Sequence, residues 1–307
     1  GAKGRRRCDH PAMIRFDGFE PRRLGGAGAE IQVQVGGAGP ALLLLHGHPQ
    51  THAIWQRVAR RLAAHFTVVA ADLRGYGDSG KPPSAPDHSP YSKRAMAADF
   101  PPVMQALGFD RFSVLAHDRG ARVAHRLAAD HPERVERLTL LDIAPTLAMY
   151  EQTSMAFATA YWHWFFLIQP APFPETLMGA DPAFYLRSLM GGRHAGLGPF
   201  TPEALAQYER NLRDPEARHA MCEDYRAAAT IDLVHDRADR EAGRLLRMPL
   251  QVLWGEQGVI GRCFDPLSEW RRVAADVRGQ ALPSGHYIPE EAPEALLEFA
   301  LPFLLEL

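Results

Sequence analysis

A mostly parallel β-sheet flanked by helices, with a helical cap inserted between two of its strands, is the architecture this sequence predicts, on three observations. Short β-rich runs alternate with helical stretches, the pattern of parallel strands joined by helical crossovers. One apolar run, residues 112–116, gives way to a helical stretch through Ala116-His117-Asp118-Arg119-Gly120. Over residues 145–244 the β runs stop, and aromatic, proline-punctuated, helix-like sequence takes their place.

In chain order, strands are expected at 31–35, 41–45, 67–71, 112–116, 138–143, 250–254 and 279–282. Helices are expected at 53–64, 92–107, 119–129, 267–274 and 292–305. Pro101-Pro102 interrupts the second of these, so a kink or a restart is expected there. Residues 1–24 read as an N-terminal tail, 25–145 with 245–307 as the core domain, and 146–244 as the cap. Ligands in open α/β sheets bind beyond the carboxyl ends of the strands, where such a cap closes the pocket.

Bulk composition narrows the class without naming a function. The 307 residues suffice for one core that buries about three quarters of the unfolded chain's surface. With 34 basic and 36 acidic residues the net charge is -2, which points to neither nucleic acid nor an anionic membrane as a partner. Cys8, Cys222 and Cys263 are scattered and lack metal or redox spacing, which fits a reducing cytoplasm. The basic start, residues 1–7, is followed by no apolar h-region, so secretion is not expected. No apolar stretch approaches the roughly 18 to 20 residues that span a bilayer, and no internal repeat is found.

The run around Asp118 carries the chemistry. A small-x-nucleophile-x-small sequence at a strand-to-helix turn is the nucleophile elbow of the α/β-hydrolase fold, with a carboxylate here where esterases place serine. Small flanking residues let the backbone turn sharply and project the central side chain towards the N–H groups of the helix start. A carboxylate needs no base to activate it, and its attack on saturated carbon gives an ester that must then be hydrolysed.

Three further groups follow from that chemistry. His286, in Ser284-Gly285-His286-Tyr287 after the last strand, stands where the order nucleophile, acid, histidine puts the base that activates water. A carboxylate must hold its tautomer. Asp142, in Leu141-Asp142-Ile143-Ala144-Pro145, is the candidate, with Glu256 as fallback. The oxyanion formed on Asp118 requires donors, and the backbone N–H groups of His48 and Arg119 are in position to supply them. His46, His48 and His52 might suggest a metal site, but no carboxylate cluster supports one, and neither a metal nor an organic cofactor is expected.

A cation at a helix N-terminus is unfavourable by a few tenths to about 1 kcal/mol, so Arg119 needs a compensating partner. Arg122 shares its helix face. Either the pair clamps a substrate carboxylate, which orients a small acid with its leaving group on the α-carbon, or both pair with acids of the protein.

The chain resembles the fluoroacetate (haloacetate) dehalogenases of the α/β-hydrolase superfamily. The likeness runs through His46-Gly47-His48-Pro49-Gln50-Thr51, His117-Asp118-Arg119-Gly120-Ala121-Arg122, Tyr161-Trp162-His163-Trp164, Cys222-Glu223-Asp224-Tyr225-Arg226 and Ser284-Gly285-His286. It implies Asp118 as nucleophile, Asp142 and His286 as the water-activating pair, Arg119 and Arg122 on the substrate carboxylate, and His163, Trp164 and Tyr225 as halide donors. His48 occupies a position where such relatives often carry an apolar aromatic residue. Pro101-Pro102 also departs from the family's pattern.

The function expected is hydrolysis of haloacetate, a small 2-haloacid, to glycolate and halide, by a cytoplasmic enzyme for which a homodimer is the default. An epoxide hydrolase using the same aspartate is the nearest rival, with Tyr150, Tyr161, Tyr185 and Tyr225 as candidate proton donors. A hydrolase-fold receptor that binds a small ligand without turnover is a remoter one.

Overall fold

The computed structural model describes residues 12–306. Among them, eight strands form one sheet: β1 (Glu20–Gly25), β2 (Glu30–Gly37), β3 (Ala41–Leu45), β4 (Thr67–Ala71), β5 (Phe112–His117), β6 (Val135–Leu141), β7 (Leu250–Gly255) and β8 (Val277–Leu282). Their order is β1-β2-β4-β3-β5-β6-β7-β8, antiparallel at β1–β2 and β2–β4 and parallel from there on. The expected α/β class is therefore observed, and β3 and β5 are buried along their whole length because helices cover both faces. The basic N-terminal run 1–7 and Cys8 lie outside the described residues.

Two expectations need correction. The tail ends earlier than residue 24, since Glu20-Pro21-Arg22-Arg23-Leu24-Gly25 pairs with β2 from Glu20↔Val35 to Gly25↔Glu30. Its polar, proline-containing sequence lacks alternation because it is a largely exposed edge strand that owes its form to its neighbour. The helix expected over 53–64 is broken into a 3-10 turn, His52–Trp55, and a short helix, Ala59–Leu62. The interruption expected at Pro101-Pro102 is observed, since the helix over 92–107 restarts, as Lys93–Ala97 and then Phe100–Ala106. Pro101 and Pro102 lie in the first turn of the second piece, where a missing N–H costs little.

Between β6 and β7 the chain forms helices only, from Thr146–Glu151 to Ile231–Glu241. Buried ion pairs seat this insertion on the core: Arg126 reaches Asp236 at 2.6 Å and Asp239 at 2.7 Å, and Lys93 reaches Asp224 at 2.5 Å.

The topology decides where chemistry can occur. The chain passes from β3 to β4 on one side and then to β5 on the other, so strand order reverses between β3 and β5 and opens a crevice at their carboxyl ends. The register pairs Leu45 with Ala116, His117 with Leu141 and Leu141 with Leu253. The loops after four adjacent strands therefore emerge side by side.

Candidate active site

Asp118 is the residue at which β5 turns into the helix Arg119–Asp130, with φ 51° and ψ -120°. A non-glycine residue held there costs of order 1 to 3 kcal/mol, which surrounding packing must sustain. Two glycines make the turn possible. A Cβ on Gly47 would stand 2.3 Å from Asp118 Cβ, and one on Gly120 would stand 2.2 Å from the His46 carbonyl oxygen.

The turn sets the carboxylate between two partners. Its Oδ1 accepts from the backbone N–H of His48 at 2.9 Å, and its Oδ2 lies 3.2 Å from His286 Nε2. His286 Nδ1 is 2.6 Å from Asp142 Oδ2, while Asp142 Oδ1 accepts from the Gly255 N–H at 2.9 Å. Asp118, His286 and Asp142 are all buried. Glu256, the fallback acid, is exposed and belongs to the β7 turn.

The charges are mutually dependent. Burial works against the Asp118 carboxylate, but the hydrogen bond and charge of His286, with help from His117 and Arg119, hold it well below the usual carboxylate range. Burial likewise lowers the basicity of His286, and hydrogen bonds to Asp118 and Asp142 outweigh it, so its pKa is raised.

The structure separates the two arginines. Arg119 is fully buried and bound by a carboxylate of the protein: Nη2 donates to Asp224 Oδ1 at 2.8 Å and Nε to Oδ2 at 3.3 Å. Asp224 also takes Lys93 and, at 2.8 Å, the Tyr76 hydroxyl. The compensating partner that Arg119 requires is thus an acid of the inserted helix Pro215–Ala228, and its Nη1 is left without a partner among the described residues. Arg122 donates to the Ala144 carbonyl at 3.0 Å and the Thr146 hydroxyl at 2.9 Å, and its Nε is left. Burial and the charge of Arg119 lower its pKa to about 10, so it remains a cation at neutral pH.

His163, Trp164 and Tyr225 are buried and cluster with their ring centroids 5.8 Å apart for His163–Tyr225 and 6.5 Å for Trp164–Tyr225. His163 Nδ1, Trp164 Nε1 and Tyr225 Oη have no hydrogen-bond partner among the described residues. Buried polar atoms are seldom left so, and three in one aromatic cluster mark a place for an acceptor from outside. Burial keeps His163 far below its ordinary pKa and therefore uncharged.

The other histidines of the β3 loop have separate partners. His46 accepts from the Leu73 N–H at 3.0 Å, and His52 pairs with Asp72 at 2.8 Å. His48 stacks on His163 at 6.2 Å and lies 3.3 Å from the Tyr185 hydroxyl. Burial lowers its pKa to about 4. His48→Phe is accordingly expected to leave the pH profile of kcat unchanged above about pH 5; a displaced acid limb there would show that this imidazole titrates in the working enzyme.

A sequence model of the α/β hydrolase fold matches residues 40–293. A fluoroacetate dehalogenase from Burkholderia sp is 47% identical over 290 residues, 94% of this chain and 95% of its own. The chain belongs to the fluoroacetate dehalogenase family of α/β hydrolases. A soluble epoxide hydrolase from Corynebacterium sp. (strain C12) is 33% identical over 91% of this chain and 95% of its own. The crystal structure of ALR0039 from Nostoc sp PCC 7120 superposes with a TM-score of 0.93 at 54% identity, covering 95% of this chain and 100% of that one.

Within this α/β hydrolase, sequence reasoning missed Asp224, Lys93 and the position of Tyr161, whose hydroxyl lies 3.4 Å from His286 Nδ1. Asp224 stood in the family likeness at 222–226 without a role, and the physical signal for it was an arginine in an unfavourable place, which called for an acid without saying which.

Proposed function

We propose that this α/β hydrolase removes halide from small 2-haloacids, haloacetate and fluoroacetate among them, through an ester on Asp118. The observation that carries the reading is the coincidence of two kinds of unused donor beside one ionised carboxylate. Arg119 Nη1 and Arg122 Nε suit a substrate carboxylate, and His163, Trp164 and Tyr225 suit a departing halide. The residues 146–244 then act as a cap domain that supplies the halide donors.

In the first step Asp118 Oδ2 attacks the α-carbon, and the carbon–halogen bond breaks with its electron pair on the halide. Several preorganised donors aimed at that compact charge lower the barrier by several kcal/mol. Esterification removes the negative charge that raises the pKa of His286, which favours the unprotonated imidazole at the stage that needs a base. In the second step His286 Nε2 takes a proton from water, whose oxygen adds to Asp118 Cγ. The oxyanion forms on Oδ1, which accepts from the His48 N–H, and the Arg119 N–H is the proposed second donor. Its collapse expels the alkoxide, which takes the proton from His286 and leaves as glycolate. A proton and the halide go to solvent, and Asp118 keeps one oxygen from water.

The test is halide release from fluoro-, chloro- and bromoacetate, with a terminal epoxide as control. Halide and glycolate in equal amounts are expected. Turnover of the epoxide with none of the acids would replace this reading by the epoxide hydrolase, which the buried, unpartnered hydroxyls of Tyr150 and Tyr225 and the 33% identical relative support.

Among the described residues no helix is long and apolar enough to cross a membrane. Cys222 and Cys263 are free thiols, which supports a reducing cytoplasm as the compartment. Exposed Met155, Phe173, Leu177 and Phe184 on the insertion support a homodimer.

A further inference from the structure

The side chain of Arg193 makes no hydrogen bond or ion pair with any described residue, although it is partly buried. Its guanidinium carbon lies 4.4 Å from the centroid of the Tyr161 ring. That ring stacks on His163 at 5.5 Å, and its hydroxyl is 3.4 Å from His286 Nδ1. A full positive charge therefore stands one side chain away from both the proposed base and a proposed halide donor. Burial opposes this charge, and the fields of Tyr161, Tyr287, Asp118 and Asp142 keep it.

Several buried arginines of this chain are matched by acids: Arg74 by Asp99, Arg126 by Asp236 and Arg226 by Glu175. Arg119 is committed to Asp224 in the same way, and Arg122, which lines the site, is held by a carbonyl and a hydroxyl. A partly desolvated guanidinium without an anion is costly, and it is retained where an anion arrives from outside. Arg193 sits in the turn between the helices Pro182–Gly191 and Pro202–Arg213, so it is reachable from solvent while its head lies against a site ring.

We propose that Arg193 is a specificity-determining residue, whose unpaired guanidinium at the inner edge of the insertion draws a small carboxylate into the pocket and disfavours neutral substrates. The inference rests on the haloacid reading above and adds a third cation to it, on the side of His286 rather than of Arg122. A charge in a low-dielectric cleft attracts an anion more strongly than in open water, over a screening length of roughly 8 Å at physiological salt.

The test compares Arg193→Gln and Arg193→Lys with the unchanged enzyme on chloroacetate and on neutral chloroacetamide, with acetate binding followed by calorimetry. Arg193→Gln is expected to raise KM for chloroacetate and Kd for acetate roughly tenfold, with kcat within about threefold. KM for chloroacetamide should stay unchanged, and Arg193→Lys should recover most of the lost affinity. Equal shifts for acid and amide, or an unaltered acetate Kd in folded Arg193→Gln, overturn the proposal. Absence of halide release from chloroacetate by the unchanged enzyme would instead overturn the functional reading, and the acetate titration still decides the role of Arg193.

Discussion

A His286→Gln enzyme is expected to release a single halide per active site from chloroacetate and then stop, with Asp118 carrying a carboxymethyl ester detectable by mass spectrometry of its peptide. With His286 gone, the His48 N–H and the Arg119 charge still favour the ionised carboxylate, which needs no base to attack, so the displacement survives the substitution. Glutamine can occupy the space of the imidazole but cannot take a proton from water, so steady-state kcat should fall by roughly 10³- to 10⁴-fold. Halide release with an unmodified Asp118 peptide would contradict the two-step scheme.

The same ionisations set the pH dependence of stability. His286 has a raised folded-state pKa, so its contribution is complete below its ordinary value of 6.5 and is lost as pH rises through the folded value. Asp118 has a depressed one, so its contribution is present above 3.8 and is lost as pH falls through the folded value. The two windows overlap between those values, where the pair is fully formed.

What was legible in the sequence and what was not divides along a physical line. Buried strands such as 41–45 and 67–71 were read to the residue, because full burial of a parallel strand demands an unbroken apolar run. The Asp118 elbow was legible because its sharp turn restricts its neighbours to small residues. Asp142 was legible from its place at the end of β6, and the adjacency of β6 to β5 explains why an acid there reaches His286. The edge strand at Glu20–Gly25 was illegible because its form comes from β2 and leaves no apolar pattern behind. Long-range polar pairing was equally hidden. Arg119 and Asp224 are 105 positions apart, and no local pattern joins a helix start in the core to an acid in the insertion.

That pairing supports the second large effect. Asp224→Ala is expected to destabilise the protein by roughly 3 to 5 kcal/mol, because it leaves Arg119 and Lys93 as buried cations with their shared anion removed. The loss should appear as a lower denaturant midpoint with an unchanged slope. Asp224 lies in the insertion while Arg119, Lys93 and Tyr76 belong to the core, so the substitution also loosens the contact that places Tyr225 near the site. The Arg119 guanidinium, 3.9 Å from the Tyr225 ring centroid, would lose the anion that fixes it there. Its charge already acts on Asp118, and a guanidinium released towards that nucleophile should lower kcat more than KM. Asp224→Asn keeps an acceptor for Arg119 and should recover part of the stability and less of the rate. A Kd for acetate that rises with no change in the denaturant midpoint would show that Asp224 serves the ligand directly, in place of the structural role assigned to it.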